Sequence, residues 1–478
     1  MVSGTTRQAS LFYLAFAKDV LAISDEVLDP LDSLLADPQL VQLAAQALAQ
    51  RRARSVDFGR PSIAPDRLLR CVVLKHLKDW SFRQLQRELR ASLLYRRFTR
   101  FYEDPIPHFT CLSRTFGLLG KERTAQVHAR VVQLAKEHGV AKGAKLRTDT
   151  TAVETNIHHP TDSSLLADSL RVLTRSLRRL GGACQQGAVV VVDHQRAAKR
   201  RVLEICRAAK TQTSAAQQRL KTAYGKLLAL TGKVVKQTTG VLADLNSGKL
   251  AADADHLVEL LAAEAQLRHY LPLTQKVMAQ TQARIFQGQT SYPGKILSLF
   301  EEHTVVIRKG KAHKPNEFGR LVRLDEVENG IVSNYSVAMT NQADVQQWKP
   351  ALEQHVVIFG RAPYLAAGDR GFWSAANEKL AQELGVKRTV LPGRGRLSKS
   401  RAARQKERWF RRGQGWRAGA EARISTLKHG FGMERAFYKG DVGFERYVGC
   451  CVLAQNLAAI VRAKAGQAQK NKSLCRSG

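Results

Sequence analysis

Acid is what this sequence has least of relative to its opposite. Its 478 residues hold 41 Asp and Glu against 76 Lys and Arg, a formal charge of +35. A charge of that size opposes compaction and attracts polyanions, so nucleic acid is the first partner to consider and an anionic membrane surface the second. The spacing of zinc ribbons and redox centres is missing: the seven cysteines, at 71, 111, 184, 206, 450, 451 and 475, contain no Cys-x-x-Cys pair. The adjacent Cys450 and Cys451 read as small buried apolar residues on a helix. Long apolar runs are also scarce. An obvious one, "AVVVV" at 188–192, falls far short of the ~20 residues a spanning helix needs, and no run approaches that length. The opening "MVSGTTRQAS" has no charged segment leading into a long apolar stretch, so it does not read as a signal peptide. The expectation is a soluble, cytoplasmic protein without a membrane partner. Apolar residues are present in quantity, 44% of the chain, enough for a sizeable core. At ~150 residues per domain, the length suits about three.

Residues 30 to about 140 read as consecutive helices. Leu69, Val73, Leu77 and Trp80 keep helical spacing in "APDRLLRCVVLKHLKDW", and Pro65 suits a first helical turn. Ser81 and Gln84 form a plausible capping box opening "SFRQLQREL", and Thr110 caps a later helix. Two helices joined by "DWS" and followed by "LYRRFTRFY" resemble a helix-turn-helix, in which Arg96 and Arg97 would contact DNA beside Arg87, Arg90 and Arg100. An ordinary helical bundle with solvated basic faces would show the same pattern.

The character changes at "AKLRTDTTAVETNI", a threonine- and valine-rich strand with Asp149 in its interior. An acid there is unfavourable for strand propensity and expensive if buried. Residues 162–289 are almost wholly helix-forming, a hairpin or small bundle suited to oligomer contacts or to a basic DNA-tracking surface. Strand patterns return from 303 with "HTVVIRKGK", "FGRLVRLDEV" and "GIVSNYSVAM". Asp369 then ends a short apolar strand in "APYLAAGDRGFWS"; such strand ends carry ligand and catalytic groups in α/β sheets, although Asp-x-Gly is also a common turn. A helix around residue 421 and an apolar helix "ERYVGCCVLAQNLAAIVRAK" follow, and the small, basic residues 465–478 read as disordered.

Residues 387–435 carry 15 Lys or Arg and three acids, a surplus of 12. Inside that stretch, "GWRAGAEARISTLKHGFG" places Arg417, Glu421 and Lys428 four and seven residues apart, on one helical face. The bland account is an exposed ion pair worth under ~1 kcal/mol. So many cations, however, suit a phosphate backbone. A carboxylate facing the same way would be repelled unless a metal ion lay between; Mg²⁺ takes one or two carboxylates together with substrate phosphates.

Asp149 on a first strand, Asp369 at the end of a later one and Glu421 on a following helix resemble the DDE triad of RNase H-like bacterial insertion-sequence transposases. The R-x3-E-x6-K spacing of Arg417, Glu421 and Lys428 is similar to their signature around the third carboxylate, with Gln414 where that signature usually has tyrosine. "LRTDTTAVETNIHHPTDSSLL", "GRPSIAPDRLLR" and "AAGDRGFWS" look like the ISNCY-type group. The resemblance spans about residues 30–460. It implies an α/β catalytic domain with an RNase H-like mixed sheet, formed by 141–161 and 290–464, interrupted by an all-α insertion at 162–289. The all-α N-terminal domain, 1–140, would bind DNA, and 465–478 would form a basic tail. Two Mg²⁺ or Mn²⁺ ions on Asp149, Asp369 and Glu421 would clamp a scissile phosphate, activate water and then the freed 3′-hydroxyl, and stabilise the leaving oxygen. Arg417 and Lys428 would contact phosphates near a transposon end. Trp409 or Trp416, set among Arg411 and Arg412, would stack on a base or lie in the core. His158 and His159 suggest a turn or supporting role rather than a metal site, because no matching ligand set accompanies them. Double-stranded DNA and at least a homodimer, needed to bring two ends together, are the implied partners. A nuclease or resolvase without strand transfer, or a non-catalytic DNA-binding derivative, would share much of this pattern.

Overall fold

The computed structural model describes residues 24–51, 62–184, 189–251, 254–308 and 315–474, together with the isolated positions 4 and 15. Two compact units emerge: Met1–Asn156 with Val305–Gly478, and Ile157–Thr304.

The first unit begins with helices α1 (Leu28–Leu35), α2 (Pro38–Ala49), α3 (Pro65–Leu77), α4 (Phe82–Ala91), α5 (Leu93–Phe98), α6 (Phe109–Gly117) and α7 (Gly120–Glu137). Pro65 stands in the first turn of α3, and Ser81 and Gln84 close the expected capping box on α4. Thr110 does not cap α6. His108 does, its ring accepting the Thr110 backbone N–H. Imidazole nitrogen serves here because an N-cap needs only an acceptor in reach of the free amides of the first turn.

Seven strands form one mixed sheet: β1 (Lys145–Thr155), β2 (Val305–Arg308), β3 (Asn316–Glu326), β4 (Val332–Val337), β5 (Leu365–Ala367), β6 (Arg388–Val390) and β7 (Arg435–Ala436). The order is β2-β3-β1-β5-β6, with β4 also on β3 and β7 also on β1. β1 runs antiparallel to β3 and parallel to β5, and β5 runs parallel to β6. The chain is thus α/β around a mixed sheet, with helices at its N-terminal side of the sequence.

Both faces of that sheet are covered. On one, Leu146 and Ala366 pack with Trp348 and Leu352 of α12 (Asp344–Phe359) and with Ala381 of α13 (Ala375–Glu383). After α14 (Lys399–Lys406), helix α15 (Arg408–Gly430) crosses the other face, where Val153 and Leu324 meet its Leu427. This double coverage explains why β1 is buried along nearly its whole length rather than alternately.

Helix α16 (Gly440–Leu474) is a shared spine: Phe444, Val448 and Cys451 lie under the sheet, while Leu453, Leu457 and Ile460 pack among the N-terminal helices. Cys450 and Cys451 are buried in it, as expected, and burial pushes the Cys450 thiol up to about 11. Gly440–Gln469 is long and apolar enough by composition to span a membrane, with mean hydropathy 1.3, yet 78% of its most apolar window is buried in the protein. It is a core helix, the apolar helix expected at "ERYVGCCVLAQNLAAIVRAK", whose apolar run is interrupted by Asn, Gln and Arg. Residues 465–474, expected to be disordered, continue the helix, in keeping with the high helix propensity of Ala, Gln and Lys.

The second unit is helical: α8 (Asp162–Ala183), α9 (Gln195–Ala208), α10 (Ser214–Asn246) and α11 (Leu257–Phe286) around Leu166, Leu173, Leu227 and Leu267. It extends past residue 289 because Ile296 and Leu299 join its core and Gln280 bonds both the N–H and the carbonyl of Ile296.

Candidate active site

The parallel register of β1 and β5 assembles the first part of the site. Arg147 is paired with Ala367, so Asp149, in the interior of β1, and Asp369, just past the end of β5, each lie two residues beyond the last pair of neighbouring parallel strands. Asp149 is buried in β1, opposite Leu324 of β3. Its Oδ1 accepts the Thr150 N–H at 2.8 Å and its Oδ2 an N–H of Arg417 at 3.2 Å. Asp369 accepts the Gly371 N–H at 2.6 Å and so caps the turn Arg370–Phe372. The turn-forming role of Asp-x-Gly is therefore realised, alongside whatever else the carboxylate does.

Glu421 lies on α15 with its side chain 71% exposed. Arg417, one turn earlier, donates to Glu421 Oε1 at 3.2 Å while also reaching Asp149. One guanidinium therefore neutralises two of the three acids. Its Nε is buried without a hydrogen-bond partner among the described residues. Lys428 is half-buried in the last turn of α15, where a cation complements the helix dipole.

A fourth acid belongs to this neighbourhood. Thr150 Oγ1 donates to Asp344 Oδ1 at 2.7 Å, and a Cβ added to Gly371 would stand 2.5 Å from Asp344 Oδ2 and 2.8 Å from Asp369 Oδ1. Asp344 and Asp369 thus share a space that only glycine leaves open. Asp344 escaped sequence reading because an Asp in the first turn of a helix already has a reason to be there. Its place beside "GDRG" follows from packing of α12 on the sheet.

Behind these acids, Glu326 of β3 holds Arg147 in a two-armed ion pair at 2.9 and 2.6 Å and accepts from Arg423 of α15 at 3.2 Å. Arg147 also donates to the Trp416 carbonyl, midway along α15, and its guanidinium lies 4.9 Å from the Trp416 ring. A side chain on Gly419 would collide with that guanidinium. The clamp fixes α15 against the strand that carries Asp149.

The remaining expected DNA contacts divide. Arg411 and Arg412 are exposed. Trp409 and Trp416 both pack against the small core of Leu365, Ala367, Val390 and Phe410, with Arg388 and Arg404 over the Trp409 ring. Arg96 instead binds the carbonyls of Tyr102 and Asp104, at 2.6 and 2.7 Å, and Arg97 pairs with Asp29. Arg96 thus holds the loop after α5 and Arg97 ties α5 to α1, uses that helical spacing could not reveal. In the helical unit, His158 stands 3.7 Å from Asp168, a turn-level contact.

The acids offer hard carboxylate oxygens, the donors that Mg²⁺ and Mn²⁺ take. Among the described residues, no three His, Cys, Asp or Glu side chains stand together closely enough to hold an ion; Arg417 occupies the ground between Asp149 and Glu421.

Comparison with known proteins now adds a class. Residues 17–117 match the family model described as a transposase domain, DUF772. The match supports a transposase of the bacterial insertion-sequence kind, and with it DNA binding in general. Neither a curated protein nor a solved structure matches the chain.

Proposed function

We propose that the protein is a DDE transposase that nicks DNA at transposon 3′ ends and joins those ends to target DNA on an RNase H-like sheet. The observation that carries this reading is the parallel pairing of β1 and β5, which leaves Asp149 and Asp369 each two residues past its last pair, with Glu421 tied to Asp149 through Arg417. The transposase domain at 17–117 supports it from the other end of the chain.

In the first reaction, water attacks the phosphorus and the P–O3′ bond breaks, leaving a 3′-hydroxyl on the element and a 5′-phosphate on the flank. In the second, that 3′-oxygen attacks a target phosphorus and displaces a target 3′-oxygen, with the attacking proton passing to solvent. Mg²⁺ or Mn²⁺ bound by Asp149, Asp369 and Glu421 would lower the pKa of the attacking oxygen and neutralise the leaving one. Arg417 acts before either step. It holds two carboxylates while the site is free of DNA, and its unpartnered Nε gives an arriving phosphate a donor to take. Turning to the phosphate, it releases Asp149 and Glu421 for the cation. Lys428 extends the positive face of α15.

The test is a labelled duplex carrying candidate element ends, with Mg²⁺ or Mn²⁺, comparing wild type with Glu421→Gln. Nicking and joining by wild type, both lost in a variant that still binds, is the expected result. Cleavage without joining points to a nuclease. Equal activity in the variant removes Glu421 from the site.

A further inference from the structure

Charge in the helical unit is divided unevenly along its sequence. Residues 171–236 hold fifteen Lys and Arg against two acids, whereas 237–304 hold five against seven. The structure shows where the surplus goes. On α9, Arg196, Lys199, Arg200 and Arg207 are all exposed, at positions i, i+3, i+4 and i+11 of one helical face, opposite the buried Ala198 and Ile205. On α10, the exposed Arg219, Lys226 and Lys233 repeat every seven residues in a row that borders the buried stripe of Ala223, Leu227 and Val234. The two helices share one core. Among the described residues, none of these seven cations has an ion-pair or hydrogen-bond partner, although Arg201 and Arg178 nearby are paired with Glu204 and Asp193.

We infer that the α9–α10 face of the helical unit is a sequence-independent binding surface for the phosphate backbone of duplex DNA. Seven residues of helix span about 10.5 Å, so Arg219, Lys226 and Lys233 cannot converge on one small anion. They match a ligand whose charges repeat along its length. A membrane-lying helix would offer an apolar face to the lipid, but here the apolar faces of both helices are spent inside the unit and only Leu203 is exposed among the cations of α9. A straight row of point charges with no base-sized pocket contacts phosphates without reading sequence. This deepens the transposase reading, on which the choice of DNA as the polyanion rests.

The test uses the full-length protein in EDTA and a random-sequence fluorescent duplex, with affinity measured by anisotropy from 50 to 300 mM salt. Each phosphate contact contributes ~0.9 to the slope of log K against log salt. Arg196→Ala/Arg200→Ala/Arg207→Ala is expected to lower that slope by about 2–3, as is Arg219→Ala/Lys226→Ala/Lys233→Ala, with unchanged thermal midpoints because the side chains are exposed and unpaired. Lys249→Ala/Arg268→Ala/Lys276→Ala, in the acidic half, is expected to leave the slope unaltered. An unchanged slope in both test variants, or an equal fall in the control, overturns the proposal. So does loss of binding to phosphatidylserine vesicles with the DNA slope intact, which would assign the face to a membrane. Because no cleavage is needed, a wild type that neither nicks nor joins, yet shows the slope change, sinks the strand-transfer reading and leaves this one standing.

Discussion

Arg417 shows how much one residue's surroundings alter its meaning. Sequence spacing made it the neighbour of Glu421; the fold also makes it the partner of Asp149, 268 positions away. Gly371 is the other pivotal residue. Gly371→Ala would push a methyl between Asp344 and Asp369, and overpacking of this kind costs about 1–3 kcal/mol. The expected outcome is a modest drop in melting temperature with at least a tenfold loss of nicking, read in the same duplex assay; full activity would detach the Asp344–Asp369 pair from the chemistry. Buried histidine gives a separate prediction. His128 is held neutral inside the fold, bonded to the Val332 carbonyl, and burial lowers its pKa to about 4 from 6.5. Between those values the unfolded chain binds a proton that the folded chain refuses, so stability falls as pH drops through this window. From pH 7 to 5 the contribution is about 2 kcal/mol. Denaturant midpoints at the two pH values should separate less in His128→Gln than in wild type.

At the scale of elements, α15 is placed by contacts that its own sequence does not disclose. The clamp of Glu326, Arg147 and the Trp416 carbonyl needs the missing side chain of Gly419. Gly415, in the same helix, faces open space. Replacing a mid-helix glycine by alanine ordinarily stabilises by about 1 kcal/mol. Gly415→Ala is therefore expected to raise the melting temperature and Gly419→Ala to lower it, as differential scanning fluorimetry can show; matching gains would mean that the clamp does not constrain the helix. Element identity itself was legible. The Ser81–Gln84 capping box and the strand around Asp149 are local signals, and local geometry honours them. The roles of Arg96, Arg97, Trp409 and Trp416 were less so, because an exposed cation and a cation bonded to a loop carbonyl have the same helical spacing, as do a stacking tryptophan and one lying over a small core.

At the scale of the whole molecule, the separate hydrophobic cores of the two units predict departure from two-state unfolding. Calorimetry should give a van't Hoff enthalpy below the calorimetric one; equality would mean that the units melt as one. The large positive charge belongs to this scale as well. It sets the class of partner through long-range attraction, whereas the positions of the individual cations decide what they touch: some are consumed in ion pairs such as Arg70–Asp32 and Arg130–Asp37, and others stay free on α9 and α10.

The sequence by itself determined the class of partner, the order of helices and strands, and three acids worth testing, because charge, periodicity and capping act through near neighbours or through sums. Only the tertiary structure decided that Asp149 and Asp369 lie on neighbouring parallel strands at matching positions past their last pair, that Asp344 stands beside them, and that Arg417 joins two carboxylates. Strand register and helix docking are set by contacts between residues hundreds of positions apart, and no local pattern encodes which of several buried charges will find each other.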